Sequence, residues 1–154
     1  MDILLKYLCV LGISMLPVLE LRFAVPYGVA AGLPVLPVLL VSIIGNMIPL
    51  PFIILFMRKI LVWMKGKSEL MRKIADKLEK KAVSKKDVLV KYETFGLFVL
   101  VAIPLPGTGA WTGALIASVF NLRLKNAIPA IFFGVIAAGL IMTILTYGVQ
   151  SLII

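Results

Sequence analysis

Two features of the sequence bring together residue types that can do chemistry, and each lies inside an apolar stretch. Glu20 and Arg22 are the charged residues of segment 7–57, and they are two residues apart. Segment 104–113, PLPGTGAWTG, lies in a run from 94 to 122 that contains no charged residue. A carboxyl group held out of water can exchange a proton, whereas a guanidinium group, backbone amides and hydroxyls bind anions. These residues therefore predict a site for an anion or for proton exchange.

The charged pair is costly wherever it meets hydrocarbon. Each charge at the centre of a membrane helix costs roughly 2.5–3.5 kcal/mol on insertion, so Glu20 and Arg22 must face protein, water or each other. Val25 precedes Pro26 and favours extended backbone, which predicts a break over 17–26 and a short helix beginning at Pro26. In an extended segment the two charges project to one side. Two interpretations stay open: a structural ion pair, or a proton or cation site at Glu20 beside an anion site at Arg22.

The motif cannot continue a helix, because it holds two prolines and three glycines. Lipid tolerates a broken backbone only where protein or a water-lined cavity surrounds it. We therefore expect a re-entrant hairpin, in which a helix enters the membrane, turns at 104–109 and returns as a short helix. Trp111 either lines the resulting cavity or only packs. The candidate binding residues of the motif are Pro104, Pro106, Gly107, Thr108, Gly109, Trp111 and Thr112.

One amide side chain completes the candidate site. Asn46 follows Gly45 inside an apolar stretch, where an unpaired amide is unfavourable. We expect Asn46 to bond to backbone freed at a break rather than to contact substrate. Asn46 is therefore included in the candidate substrate or ion site together with Pro26, which is expected to begin the short helix after the first break.

Composition identifies the class of protein. Of the 154 residues 62% are hydrophobic, and the mean hydropathy is +1.11. Uncharged runs cover 23–57, 94–122 and 126–154, each longer than the roughly 20 residues that a spanning helix needs. The sequence predicts a single all-α membrane domain.

The net charge of +9 is concentrated in one segment. Between 58 and 93 there are twelve Lys or Arg and five Asp or Glu residues. A single basic loop between apolar halves is the positive-inside pattern rather than a nucleic-acid surface, so loop 58–93 is expected in the cytoplasm and the chain in the inner membrane.

Several kinds of chemistry lack their usual residues. The chain has no histidine, and Cys9 is its one cysteine. No intrachain disulfide or thiolate cluster can form, and a nucleophilic cysteine would have no histidine partner. No phosphate-binding loop, dinucleotide fingerprint or metal site is evident. We therefore expect neither an enzyme nor a cofactor.

The chain divides into two similar halves. Residues 1–63 and 85–154 each read as a hairpin limb, a broken tip, a short return helix, a connection and a full span. At an offset of 85, Gly28 matches Gly113. Residues 64–84 form an amphipathic helix that lies either on the anionic inner leaflet or against its own protein.

Charge in the connections predicts that the halves are inverted. The first connection, 33–37, is uncharged, whereas the second carries Arg123 and Lys125. The second hairpin is therefore expected to open towards the cytoplasm and the first to the outside, with both termini outside. Inverted repeats of this kind place broken tips near the bilayer midplane, where transporters bind substrate.

Three segments resemble a known family. Residues 20–26 (ELRFAVP), 45–46 (GN) and 104–114 (PLPGTGAWTGA) resemble, in order, the small multidrug export protein family. That family is similar to the DedA (SNARE-associated, VTT) superfamily, whose members pair two re-entrant hairpins with spanning helices. The acidic and arginine positions of the family fall on Glu20 and Arg22, and its Pro-Gly tip on Pro106 and Gly107.

The resemblance implies a membrane transporter, with proton coupling as one mechanism. Our leading hypothesis is export of small amphipathic molecules. The alternative, implied by DedA relatives, is a flippase or scramblase for phosphate-bearing lipids such as polyisoprenyl phosphates or phospholipids. A structural or accessory membrane protein is the third class. The expected partners are the bilayer, a small-molecule or lipid substrate and protons, and no nucleic acid. Homodimerisation fits so small a transporter, although no residue indicates it.

Overall fold

The computed structural model describes residues 2–105 and 107–153; the side chains of 87–93, 150, 151 and 153 are not described. This part of the chain is built from α-helices and contains no strand, which confirms the all-α prediction. The helices are α1 Ile3–Met15, α2 Glu20–Ala30, α3 Val35–Met47, α4 Leu50–Lys67, α5 Glu69–Val83, α6 Lys86–Ala102, α7 Ala110–Val119 and α8 Leu124–Ile153.

Within the described residues, two helical stretches are long and apolar enough to cross a membrane. They are Val35–Lys67, which joins α3 and α4, and Leu124–Val149 in α8. Large apolar side chains such as Leu36, Phe52 and Ile144 are also at least 65% exposed on the outside of the bundle. An outer surface of this kind suits lipid rather than water.

The remaining apolar helices are too short to span. At 1.5 Å per residue, α1 is about 20 Å long, α2 about 17 Å and α7 about 15 Å. The hydrocarbon core of a bilayer is about 30 Å thick. The helices α1 and α2 form one hairpin and α6 and α7 another. These lengths suit re-entrant hairpins, and re-entry into the bilayer stays a prediction.

Helix α2 differs from the sequence prediction in its start. It begins at Glu20, six residues before the predicted start, and Pro26 lies inside it, so segment 20–26 is helical rather than extended. The break is confined to Leu16–Leu19. A proline is tolerated inside a membrane helix when neighbouring helices pack around it, as α1, α3 and α8 do here. The expectation that the two charges project together from an extended tip is therefore wrong.

Helix α3 crosses α1 at very short range. A Cβ atom built on Gly45 would overlap the hydroxyl of Ser14 and come within 2.9 Å of the Leu11 carbonyl oxygen. Glycine allows this approach, and close backbone contact is what holds helices together in lipid. The crossing fixes Asn46, the next residue of α3, beside the start of α2.

The amphipathic helix α5 packs against its own protein. It contacts α4 and α7, and its Ala75 and Ala82 are fully buried. Lys65 of α4 lies 2.7 Å from the Glu79 carboxylate and 3.4 Å from that of Asp76. Of the two interpretations left open by the sequence, packing on the protein is therefore observed; contact with the inner leaflet stays a prediction.

The two short return helices end in the same way. In α2 the amides of Leu33 and Gly32 donate to the carbonyls of Gly28 and Val29, and in α7 Leu122 and Asn121 donate to Ala117 and Ser118. Gly32 and Asn121 both have positive φ, which completes a Schellman motif at each end. All four equivalent positions are 89 residues apart. At this point the halves are therefore offset by 89 residues and not by the predicted 85, so the structural equivalent of Gly28 is Ala117 rather than Gly113. The inverted relation of the halves stays a prediction.

Candidate functional site

The two helix breaks lie against each other in the folded chain. The first is Leu16–Leu19 and the second is Ile103–Gly109. The indole Nε1 of Trp111, which follows the second break, donates to the carbonyl of Met15, which precedes the first, at 3.1 Å. The residues singled out from separate parts of the sequence therefore meet at one place.

Arg22 holds the second break together. Its Nη1 donates to the carbonyl oxygens of Leu105 and of Thr108, the latter at 2.7 Å. Its Nη2 donates to the carbonyl of Ile103 at 3.2 Å and to the hydroxyl of Thr108 at 2.8 Å. The Ile103 carbonyl lies at the end of α6, the negative end of the helix dipole, and the carbonyls of Leu105 and Thr108 lie in the break that follows. The planar guanidinium group donates to several carbonyls at once, which explains why a half-buried arginine is found in an apolar sequence.

Glu20 acts at the start of the returning helix. Its side chain is 4% exposed, and Oε1 accepts a hydrogen bond from the backbone N–H of Trp111 at 3.0 Å. Trp111 is the second residue of α7, so the carboxylate caps an N-terminus, the positive end of the dipole. No ion pair between Glu20 and Arg22 is recorded among the described residues. Each charge instead bonds to the backbone of the opposite hairpin.

Gly109 makes room for the Glu20 carboxylate. A Cβ atom on Gly109 would overlap Glu20 Oε2 and lie 2.9 Å from Oε1. The φ and ψ angles of Gly109 are 129° and −173°, a region that is open essentially to glycine alone. Position 109 therefore requires glycine for two independent reasons.

Asn46 bonds to freed backbone, as predicted. Its Oδ1 accepts the N–H of Leu21 at 3.1 Å, in the first turn of α2. A small cavity of about 10 Å³ lies between Asn46, Glu20 and Gly109. This space holds about one water molecule, with the polar partners that a buried water needs.

A larger cavity of about 680 Å³, which we term the tip cavity, lies on the other side of the second break. Its apolar lining residues are Pro17, Val18, Phe23, Pro26, Pro104 and Met142. Its remaining lining residues are Arg22, Lys81, Gly107, Thr108 and Thr112. The volume is in the range of pockets that enclose a small organic molecule. An apolar chamber with two cations can accommodate an amphipathic ligand.

The threonine hydroxyls of the motif donate hydrogen bonds to carbonyls of the same loop. Thr108 Oγ1 is within 2.8 Å of the carbonyl oxygens of Ile103 and Leu105, to one of which it donates. Thr112 Oγ1 donates to the carbonyl of Gly107 at 3.1 Å. Both threonines line the tip cavity, but their donors are engaged before any ligand arrives.

The predicted residues divide between the two cavities. Arg22, Pro26, Pro104, Gly107, Thr108 and Thr112 line the tip cavity; Glu20, Arg22, Asn46 and Gly109 line the small one. Trp111 lines neither: its indole N–H donates to the Met15 carbonyl, and its backbone N–H donates to the Glu20 carboxylate. Pro106 lies outside the described residues.

Sequence reasoning missed Lys81 of α5. A Cβ atom on Gly107 would be 3.6 Å from Lys81 Nζ, so the ammonium group lies directly beside the second break. Lys81 is one of many lysines on a basic helix, and no sequence pattern separates it from the others. Only the packing of α5 on α7 brings it to the cavity.

Chemistry that requires a metal cluster is not supported by the described residues. They contain no group of three or more His, Cys, Asp or Glu side chains that could hold a metal ion.

Comparison with curated proteins and with solved structures finds no match to the chain. Residues 20–141 match the family described as "Putative small multi-drug export protein". A relation to the DedA superfamily stays a prediction. The match runs from Glu20 to Ile141 and so includes the second break and every residue that lines the small cavity. The first break lies just before it, as do Pro17 and Val18 of the tip cavity, and Met142 lies just after it. Because it also covers most of the chain, the protein belongs to the small multi-drug export protein family.

Proposed function

We propose that this protein is a secondary transporter that exports small amphipathic molecules across the inner membrane, driven by a proton gradient. The observation that carries the proposal is the tip cavity, an apolar chamber with cationic groups where two helix breaks meet. Transporters bind substrate where discontinuous helices meet. Membership in a small multi-drug export family supports the same function.

In this proposal Glu20 is the proton site. It is a buried carboxylate next to a cavity that holds about one water. Its neighbour Gly109 belongs to the loop that separates the small cavity from the tip cavity. Protonation would weaken the hydrogen bond from Trp111 N–H to Oε1 and so loosen the link between the two hairpins. Proton uptake and cavity opening would then be coupled.

The proposed architecture is two re-entrant hairpins of opposite orientation, with loop 58–93 in the cytoplasm. The short α1, α2 and α7 support re-entry. A cysteine at Arg123, in a Cys9→Ser chain, tests the orientation. We expect a membrane-impermeant maleimide to label it from the cytoplasmic side; labelling only from outside would contradict the topology.

Flux into proteoliposomes tests the function. The probes are ethidium, a cationic amphiphile, and carboxyfluorescein, an anionic one, each followed with and without a pH gradient. We expect Glu20→Gln to abolish pH-driven flux of the transported probe, while size-exclusion and melting profiles stay those of a folded protein. The matched control Glu69→Gln, at an exposed position of α5, should transport normally. Unchanged flux in Glu20→Gln would remove Glu20 from the mechanism. No flux of either probe, together with no movement of fluorescent lipid between leaflets, would favour an accessory protein.

The alternative function is a flippase for phosphate-bearing lipids. The specific observation in its favour is that both charged residues lining the tip cavity, Arg22 and Lys81, are cationic. Fluorescent phosphatidylglycerol in the same vesicles, with dithionite added outside, separates the two functions. Accelerated loss of inner-leaflet fluorescence without flux of either soluble probe would favour the flippase. Arg22→Ala should then impair lipid movement more than it impairs ethidium transport.

A further inference from the structure

The charges of the tip cavity are not equivalent in what they can offer a ligand. Arginine has five N–H donors, four of them on Nη1 and Nη2. Arg22 uses these four for the carbonyls of the second break and the Thr108 hydroxyl. A ligand that took these donors would leave the Thr108 carbonyl without a donor in an apolar setting, whereas the Ile103 and Leu105 carbonyls would keep their bonds within the loop. Arg22 is therefore a poor first contact for an anion.

Lys81 is in the opposite situation. Within the described part of the chain its ammonium group makes no hydrogen bond or ion pair, although it lies beside Gly107 at the cavity wall. The nearby acids of α5 are engaged elsewhere, since Asp76 and Glu79 both face Lys65. Glu20 attracts Lys81 electrostatically, but its carboxylate lies against Gly109, lines only the small cavity and makes no ion pair with Lys81. Lys81 therefore brings three uncommitted donors to the tip cavity.

We propose that Lys81 is the ligand-binding cation of the tip cavity, and that the ligand is an amphiphile with an anionic head. The head contacts the Lys81 ammonium, and the apolar body lies against Val18, Phe23 and Met142. The positive charge of Arg22 adds to the attraction without a direct bond. This assignment rests on the proposed function for the use of the cavity, and it narrows the substrate class from amphiphiles in general to anionic ones.

The volume of the cavity suits a single small amphiphile. About 680 Å³ is a typical size for a pocket that encloses a drug-sized molecule. The same anionic-head chemistry is presented by a free amphiphile and by an anionic lipid that enters head-first. Both sources are therefore included in the test.

Direct binding tests the assignment without relying on transport. Radiolabelled decanoate is bound to purified protein in phosphatidylcholine nanodiscs, with empty nanodiscs subtracted, and displaced by decyl phosphate or decyltrimethylammonium. We expect decyl phosphate to compete better than decyltrimethylammonium by about tenfold or more, the effect of one charge-assisted hydrogen bond. We expect Lys81→Gln to weaken decanoate binding by about tenfold on the same ground.

Three further variants make the test specific. Lys81→Arg should bind within about threefold of wild type, because the charge remains. Lys81→Glu should reverse the preference and favour decyltrimethylammonium. Lys77→Gln removes the same charge one turn earlier on α5, at an exposed position that does not line the cavity, and should bind normally. Equal competition by both decyl compounds in the wild type, or unchanged binding in both Lys81→Gln and Lys81→Glu, would overturn the proposal.

Nanodiscs that contain phosphatidylglycerol distinguish the source of the head group. Loss of Lys81-dependent decanoate binding in these discs assigns the site to a lipid head group, and retention assigns it to a free amphiphile; both support anionic recognition. The outcome is also separable from the transport proposal. Lys81-dependent binding without flux would refute transport alone, whereas proton-driven flux that is indifferent to Lys81 would refute this assignment alone.

Discussion

The first helix break spans four residues, Leu16–Leu19, whereas the second spans seven, Ile103–Gly109. Around the first, neutral side chains suffice: Asn46 accepts the Leu21 N–H, and Trp111 donates to the Met15 carbonyl. Around the second, the partners are charged, with Arg22 on the carbonyls and Glu20 on the Trp111 amide. The longer break frees more backbone, and two charges bind it.

The difference shows how the halves depend on each other. The first half supplies both charges, and the second supplies the backbone groups that they bind. Cation and anion are each at the helix end whose dipole favours them, Arg22 near the end of α6 and Glu20 at the start of α7. The cost of two charges in an apolar chain is thus offset by hydrogen bonds that join the hairpins.

The largest effect should follow from filling the space beside Glu20. Gly109→Ala places a Cβ atom on the carboxylate and forces alanine into backbone angles that only glycine readily adopts. We expect a loss of about 4 kcal/mol in the free energy of unfolding, measured by denaturant titration in mixed micelles. Gly12→Ala is the matched control, because nothing lies within 4 Å of its Cβ position, and it should be neutral or slightly stabilising. Equal effects of the two substitutions would show that the second break does not rest on Glu20.

Removing the Arg22 guanidinium group should have the second-largest effect on the free energy of unfolding. Arg22→Ala leaves the carbonyls of Ile103, Leu105 and Thr108 without their shared donor, and we expect a loss of about 3 kcal/mol. Arg22→Lys keeps the charge but not the fork, and should lose about 2 kcal/mol. Arg58→Ala, at an exposed position, should change unfolding by less than about 0.5 kcal/mol. If Arg22→Lys matched wild type, charge alone and not the fork would hold the second break.

The first break should be less sensitive. Asn46→Leu leaves the buried Leu21 N–H unpaired, at a cost of about 2 kcal/mol in the same titration. Thr143→Val on α8 serves as a reference, because that hydroxyl donates to a carbonyl one turn earlier in its own helix, and it should cost less than about 0.5 kcal/mol. If Asn46→Leu left the free energy of unfolding unchanged, the start of α2 would not depend on a hydrogen-bond partner from α3.

The smallest stability effect should come from Glu20→Gln. Glutamine keeps an oxygen that accepts the Trp111 N–H, and only the charge at the start of α7 is lost, so we expect about 1 kcal/mol. The same variant should lose pH-driven flux. A large loss of stability in Glu20→Gln with normal pH-driven flux would show that Glu20 has a structural role and no role in proton coupling.

Much of the fold follows from the sequence because lipid imposes strong rules. Uncharged runs, the basic loop and the proline and glycine clusters predicted an all-α membrane chain with breaks near 17 and 104. The Asn46 contact was also predicted, since a buried amide must find a partner. The exact start of α2 was not, because Pro26 reads as a helix start when the packing of α1, α3 and α8 around it is unknown.

The roles of the charges could not be read from spacing alone. Glu20 and Arg22 are two residues apart, which suggested a pair, but their partners are 81 to 91 residues away along the chain. Lys81 was hidden among similar lysines for the same reason: tertiary packing, not local pattern, brings it to the tip cavity.

The central claim is that the two breaks meet, and cysteine cross-linking in native membranes tests it most directly. In a Cys9→Ser chain, Val18→Cys and Pro104→Cys place one thiol from each break at the lining of the tip cavity. We predict that a short bifunctional methanethiosulfonate joins them within one chain, as detected by mass spectrometry of the digest. The control pair, Val18→Cys with Leu70→Cys, should not react, since Leu70 is about 16 Å along α5 from Lys81. Failure of the Val18–Pro104 pair while both single cysteines are labelled would contradict the account.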